Sequence, residues 1–159
     1  MSGQRCWIFG DNIDTDQIMP SQYLVLPMDE MLKHTLETQS ESFAKQMEAG
    51  DFIVGGENFG CGSSREQAPL ALKKLGVRAI IAKSFARIFF RNAINIGLLL
   101  IEIPSVEEFS EGDLLEVNVK EGLLKDATTS KNYNFFPPTG LVKDIFESGG
   151  LIQYLDNKK

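Results

Sequence analysis

Cysteine and histidine are nearly missing from this chain of 159 residues, which holds two cysteines, Cys6 and Cys61, and one histidine, His34. Two thiols are too few for a four-thiolate iron–sulfur or zinc site, and in a reducing compartment they are not expected to pair. His34 stands in residues 31–36 with no ligand set near it, so it is expected to be a solvated helix histidine. No metal site is expected in this chain. Positive charge is also scarce: 16 Lys and Arg against 22 Asp and Glu leave a net charge of −6, with no basic block. Nucleic acids and anionic membrane surfaces both need clustered positive charge, so neither is an expected partner. Long hydrophobic runs are absent as well. The longest, residues 96–101, falls far short of the roughly 20 residues that span a bilayer. Residues 1–10 lack the apolar core and small-residue cleavage site of a secretory signal. The location expected from these absences is the cytoplasm.

Hydrophobic residues make up 43% of the chain and charged residues 24%, the balance of an ordinary soluble fold. The length predicts a single domain over residues 1–159. Residues 5–9 read as a short buried strand that stops at Gly10, and residues 11–16 as a polar loop. Met31, Leu32, Leu36, Phe43 and Met47 recur at roughly helical spacing, which predicts one or two helices within residues 28–49, ended by Gly50. A strand at 52–54, a glycine loop, a helix up to Leu75, a strand at 79–82, a helix at 85–96 and a strand at 98–103 follow in turn. This alternation predicts an α/β fold with a partly parallel sheet flanked by helices. Past Pro104 the pattern changes. Residues 114–119 alternate, Glu121-Gly122 reads as a turn, and 132–136 as a further strand, so an additional β-rich segment is expected. Residues 139–146 and 151–155 read as closing helices, with Thr139 as N-cap and Gly149 as C-cap.

The glycine loop is the most informative stretch. Gly55, Gly56, Gly60 and Gly62 allow tight turns and close approach of a ligand to main-chain N–H groups, and a helix after such a loop points its positive end at the same space. A phosphate loop is excluded because Cys61 and Gly62 stand where Lys and Ser/Thr are required. The G-x-G-x-x-G dinucleotide pattern is missing too. Ser63 with Glu66, or Ser64 with Gln67, fits a capping box, and the N–H groups involved would also stabilise a serine alkoxide. Arg65 suits bidentate binding of a carboxylate. Pro69 predicts a kink or a delayed helix start. Asp11, Asp14 and Asp16 do not continue as a calcium loop, since Gln17 occupies the position that needs glycine and Tyr23 the one that needs glutamate. An Asp-rich turn that satisfies its own backbone is the alternative.

Three segments, Gly10-Asp11-Asn12-Ile13-Asp14-Thr15-Asp16-Gln17-Ile18, Asn58-Phe59-Gly60-Cys61-Gly62-Ser63-Ser64-Arg65-Glu66 and Lys83-Ser84-Phe85-Ala86-Arg87-Ile88-Phe89, together closely resemble the small subunits of 3-isopropylmalate dehydratases. Those subunits are similar to the swivelling C-terminal domain of aconitase, and the resemblance runs from about Arg5 to Ile103. It implies a swivelling β/β/α domain that closes over a large subunit carrying a [4Fe–4S] cluster, with no cofactor in this chain. It also implies a hydro-lyase that interconverts 2-isopropylmalate and 3-isopropylmalate in leucine biosynthesis. By motif, Ser63 matches the serine base and Asp16 an active-site aspartate, while Ser64 and Arg65 match residues that bind a substrate carboxylate. The loop Tyr23-Leu24-Val25-Leu26 matches the specificity loop, in which relatives acting on tricarboxylates have arginine in place of Val25. An apolar Val25 would leave an extra carboxylate unpaired, at a cost on the order of several kcal/mol. Gln67 departs from the histidine of many relatives. Cys61 reads as a loop or packing residue, and Arg87 and Arg91 face either solvent or the interface. The alternatives are a related dehydratase acting on 2,3-dimethylmalate or another alkylmalate, a homoaconitase, and a stand-alone anion-binding module.

Overall fold

The computed structural model describes residues 3–159, so Met1 and Ser2, which the expectations on residues 1–10 and 1–159 include, lie outside it. Four strands, β1 (Gln4–Ile8), β2 (Phe52–Val54), β3 (Ala79–Ala82) and β4 (Leu99–Glu102), are joined side by side in parallel, and β5 (Leu114–Asn118), β6 (Leu123–Asp126) and β7 (Lys131–Asn134) continue antiparallel from the other edge of β1. The seven-stranded order is β4-β3-β2-β1-β5-β6-β7. β1 serves both halves. Its Cys6, Trp7 and Ile8 pair in parallel with Phe52, Ile53 and Val54, and its Gln4 and Arg5 pair with Leu115 and Leu114.

The apolar runs of β2 and β3 are continuous because both faces of the parallel strands are buried. Trp7, Ile53 and Ile80 enter one core with Leu36, Phe43, Phe59, Leu72 and Phe89, while Cys6, Phe52, Val54, Ala79 and Ile81 enter another with Phe109, Leu115, Leu124 and Tyr133. The second core thus joins β2 and β3 to β5, β6 and β7 across a curled sheet. Helices α4 (Gln67–Leu75) and α5 (Arg87–Asn95) make the β2–β3 and β3–β4 crossovers and supply Leu72 and Phe89 to the first core. The α/β fold read from the alternation is therefore present. Short helices α1 (Thr15–Ile18), α2 (Met28–Leu32) and α3 (Phe43–Gln46) lie between β1 and β2, and α6 (Gly140–Glu147) and α7 (Leu151–Asn157) close the chain. Among the described residues, no helix is long and apolar enough to cross a membrane.

Two departures from the sequence pattern have local causes. Residues 28–49 form two helices, within the one or two expected, but both are short and turns replace the helical pattern between them, because fully buried Leu36 takes a left-handed backbone (φ 56°) and donates its N–H to the Ile18 carbonyl at 2.9 Å. His34 consequently sits in a turn rather than a helix, stacked on Tyr23 with ring centroids 3.6 Å apart and hydrogen-bonded to Glu37, so it is not simply solvated. β6 escapes the pattern because it points a carboxylate inward: Asp126 is fully buried beside Asp113.

The Asp126 Oδ1 accepts from the N–H groups of Thr128 (3.0 Å) and Thr129 (3.2 Å), whereas no N–H or hydroxyl reaches Oδ2. Burial, then the Asp113 carboxyl, push the Asp126 pKa above its ordinary value. The fold therefore holds this proton more tightly than the unfolded chain does. The associated stability is complete below the ordinary value of 3.8 and is lost as pH rises through the raised one. Asp126→Asn keeps the Oδ1 acceptor and turns an N–H donor toward Asp113. Thermal melts between pH 4 and 8 are expected to show a Tm above native at pH 7, with the gap closing as pH falls. A variant less stable at every pH would contradict the account of a raised Asp126 pKa.

Candidate active site

The three polar stretches leave the carboxyl ends of β1, β2 and β3 and are joined mainly through their backbones. Gly56 N–H donates to Gly10 O, Asn12 N–H to Glu57 O, Gly60 N–H to Ile13 O and Thr15 N–H to Cys61 O, all between 2.7 and 3.0 Å. The third stretch joins through Phe59 N–H to Ser84 O and Ala86 N–H to Phe59 O, both 3.0 Å, and through the Ser84 Oγ, which accepts from Asn58 N–H at 2.8 Å. Asp11 Oδ1 accepts from Glu57 N–H at 2.8 Å, and Asp14 caps α1 in a reciprocal pair with Gln17. Two of the glycines serve this joining. A Cβ on Gly56 would lie 1.8 Å from Asp11 Oδ1, and one on Gly60, whose φ is +85°, would lie 2.1 Å from the Phe89 ring. They let protein approach protein at these points.

Beyond this joint lies a cleft of about 270 Å³, lined on one side by Thr15, Gly62, Ser63, Ser64 and Arg65 and on the other by α5 residues including Arg87, Ile88 and Asn92. Ser63 and Ser64 are exposed, and neither caps a helix. The expected capping box is overturned: α4 begins at Gln67 after an uncapped Glu66, so Pro69 falls in the first turn, where its missing N–H leaves no bond unmade. The first turn of α5 lines the cleft instead. Its N-cap is Ala86, with no side-chain acceptor for the free N–H groups, so the positive end of that helix stays available. Thr15, itself buried, donates its Oγ1 hydrogen to the Ser63 carbonyl at 2.8 Å, and the two hydroxyl oxygens are 3.4 Å apart.

Arg65 is 16% exposed along its side chain and donates through Nη1 to Asp16 Oδ1 (3.1 Å) and to the Met19 carbonyl (2.9 Å). Asp16, 63% exposed, also accepts from Ser21 N–H. The Arg65 hydrogen bond, then that of Ser21, hold its carboxyl below the ordinary carboxylate value, so it is an anion at neutral pH. Ser21 opens the 3₁₀ turn Ser21–Tyr23 that leads to Val25, which is 88% exposed. Tyr23 and Leu24 pack against the small core of Met19, Met31 and Ala71.

Among known families, the aconitase C-terminal domain matches residues 11–106. The 3-isopropylmalate dehydratase small subunit 1 of Archaeoglobus fulgidus is 50% identical over 94% of each chain, and that of Thermotoga maritima is 50% identical over 95% of this chain and 92% of its own. The crystal structure of the 3-isopropylmalate dehydratase leuD of Methanocaldococcus jannaschii superposes with a TM-score of 0.93 at 44% identity, covering 98% of this chain and 93% of that one. The chain belongs to the 3-isopropylmalate dehydratase small-subunit family.

Of the family positions read from the sequence, Ser63, Ser64 and Arg65 share one cleft, and Asp16 reaches it only by holding Arg65. Tyr23, Leu24 and Val25 do not line it. Gln67 lies at the start of α4, outside the cleft. Arg91 is exposed away from it, while Arg87 is on its wall. Cys61 is half-buried in the joint, and burial, then Asp14, raise its thiol pKa, which disfavours the reactive thiolate. Sequence reading missed Thr15, Ile88 and Asn92. The signal available was the spacing of Ile88 and Asn92, four apart on one helix face.

Proposed function

We propose that this chain is the substrate-gripping and proton-handling half of an isopropylmalate hydro-lyase of leucine biosynthesis, completed by a large subunit. One observation carries the reading: in a chain of net charge −6, the residues lining the cleft include Arg65 and Arg87 and no Asp, Glu or His. With the first turn of α5, this makes an anion receptor suited to a diacid. Arg65, steadied by Asp16, and Ser64 grip one carboxylate, and Ser63 Oγ, as the alkoxide, takes the proton from the carbon next to the one bearing hydroxyl. The double bond forms as the hydroxyl leaves.

The cleft offers no acid to help that hydroxyl depart, and the cysteines do not fit an iron–sulfur cluster. Cys6 lies inside the second core, its thiol pKa pushed up to about 12 mainly by burial, and Cys61 is a lone thiol in the loop joint. We therefore assign the [4Fe–4S] cluster, whose chemistry is that of a Lewis acid, to the large subunit. Exposed Val25, on a turn tied to Asp16, is assigned to the alkyl group of the substrate once that partner closes the cleft.

Reconstitution with a [4Fe–4S] large subunit, followed by a panel of 2-isopropylmalate, 2,3-dimethylmalate and citrate, tests this reading. Turnover is expected to be highest with the isopropyl diacid. Preference for citrate would overturn the role of Val25, and turnover by the isolated chain would favour a stand-alone module.

A further inference from the structure

Resting on the assignment of Ser63 as base, we propose that Thr15 is the positioning residue that holds the Ser63 alkoxide through a hydrogen bond it redirects during the reaction. A serine hydroxyl ionises far above neutral pH unless donors are aimed at the oxygen. No charged side chain hydrogen-bonds to Ser63 Oγ among the described residues; its neighbour is Thr15 Oγ1, at 3.4 Å. The ionisable groups around it are Asp14, whose Cβ packs against Gly62, Cys61 in its own loop, Arg65, tied to Asp16, and Arg87 across the cleft.

Thr15 is fixed where such a donor is needed. It is the first residue of α1, buried, with its N–H held by the Cys61 carbonyl at 2.8 Å. Its hydroxyl has two oxygens of one residue within reach, the Ser63 carbonyl at 2.8 Å and Oγ at 3.4 Å. While Ser63 is protonated, Thr15 donates to the carbonyl. Once Ser63 Oγ carries the negative charge it is the stronger acceptor, and rotation about the Thr15 Cβ–Oγ1 bond turns the same hydrogen to it. No covalent bond of Thr15 changes. When Oγ takes the substrate proton, the Thr15 hydrogen returns to the carbonyl.

The test uses the reconstituted two-subunit enzyme and the pH dependence of kcat. Thr15→Val keeps the shape and removes the hydroxyl. It is expected to lower kcat at pH 7 by about ten- to a hundredfold with little change in KM, and to move the base limb upward so that the loss shrinks in alkali. Thr15→Ser is expected to restore both kcat and the limb. If Thr15→Val does not assemble, Thr15→Ala is read in the same way. An unmoved limb in the hydroxyl-free variant, or an equal loss in Thr15→Ser, overturns the proposal. Ser63→Ala run in parallel separates the two layers: if it still turns over, the base assignment fails, whereas if it is inactive and Thr15→Val is native-like, only the role of Thr15 fails.

Discussion

Ser63→Ala in the reconstituted enzyme is expected to hold KM within about threefold of native while kcat falls by about 10²–10⁴-fold, the usual contribution of a positioned base. Ser63 is exposed and its side chain caps no helix, so the loss should come without a change in Tm. Its carbonyl, which accepts from Thr15, is untouched by the substitution. Steady-state kinetics with either isopropylmalate isomer, paired with a thermal melt, read both quantities. Turnover near the native rate would remove the base assignment.

Arg65→Lys should show the opposite division, with KM raised about tenfold or more and kcat changed less. The guanidinium is engaged through Nη1 alone by Asp16 and the Met19 carbonyl, which leaves the rest of its fork for a carboxylate. A lysine offers one compact ammonium that cannot serve Asp16 and the substrate in the same geometry, and loss of a charge-assisted hydrogen bond costs about 1.5–3 kcal/mol. A collapse of kcat at unchanged KM would mean instead that Arg65 acts only on the transition state.

The strands were legible because β2 and β3 are buried on both faces, which leaves unbroken apolar runs between glycines. The turn after α2 was not, since Leu36 meets the helical spacing in sequence yet answers to a tertiary acceptor, Ile18 O. Burial of Asp126 hid β6, because a carboxylate on the core face breaks the alternation that marks a strand. Of the candidate site, the loop residues Ser63, Ser64 and Arg65, which line the cleft, lie in one contiguous motif. The motif also suggested that α4 supplies the positive helix end, whereas the cleft faces α5, in the next crossover along the sheet. Thr15 was passed over because its hydroxyl acquires meaning only when β1 and β2 bring residues 48 positions apart into hydrogen-bonding distance. The glycines read as places for tight turns and for close approach of a ligand, while Gly56 and Gly60 also accommodate Asp11 and Phe89, a packing need that no local pattern reveals.

Exchange of the substrate C–H hydrogen with deuterium from solvent, followed by NMR for this chain alone, for the large subunit alone and for the mixture, is the most direct test of the division of labour. Exchange only in the mixture, and none when the small chain carries Ser63→Ala, is the predicted result. Exchange catalysed by the large subunit without this chain would contradict it.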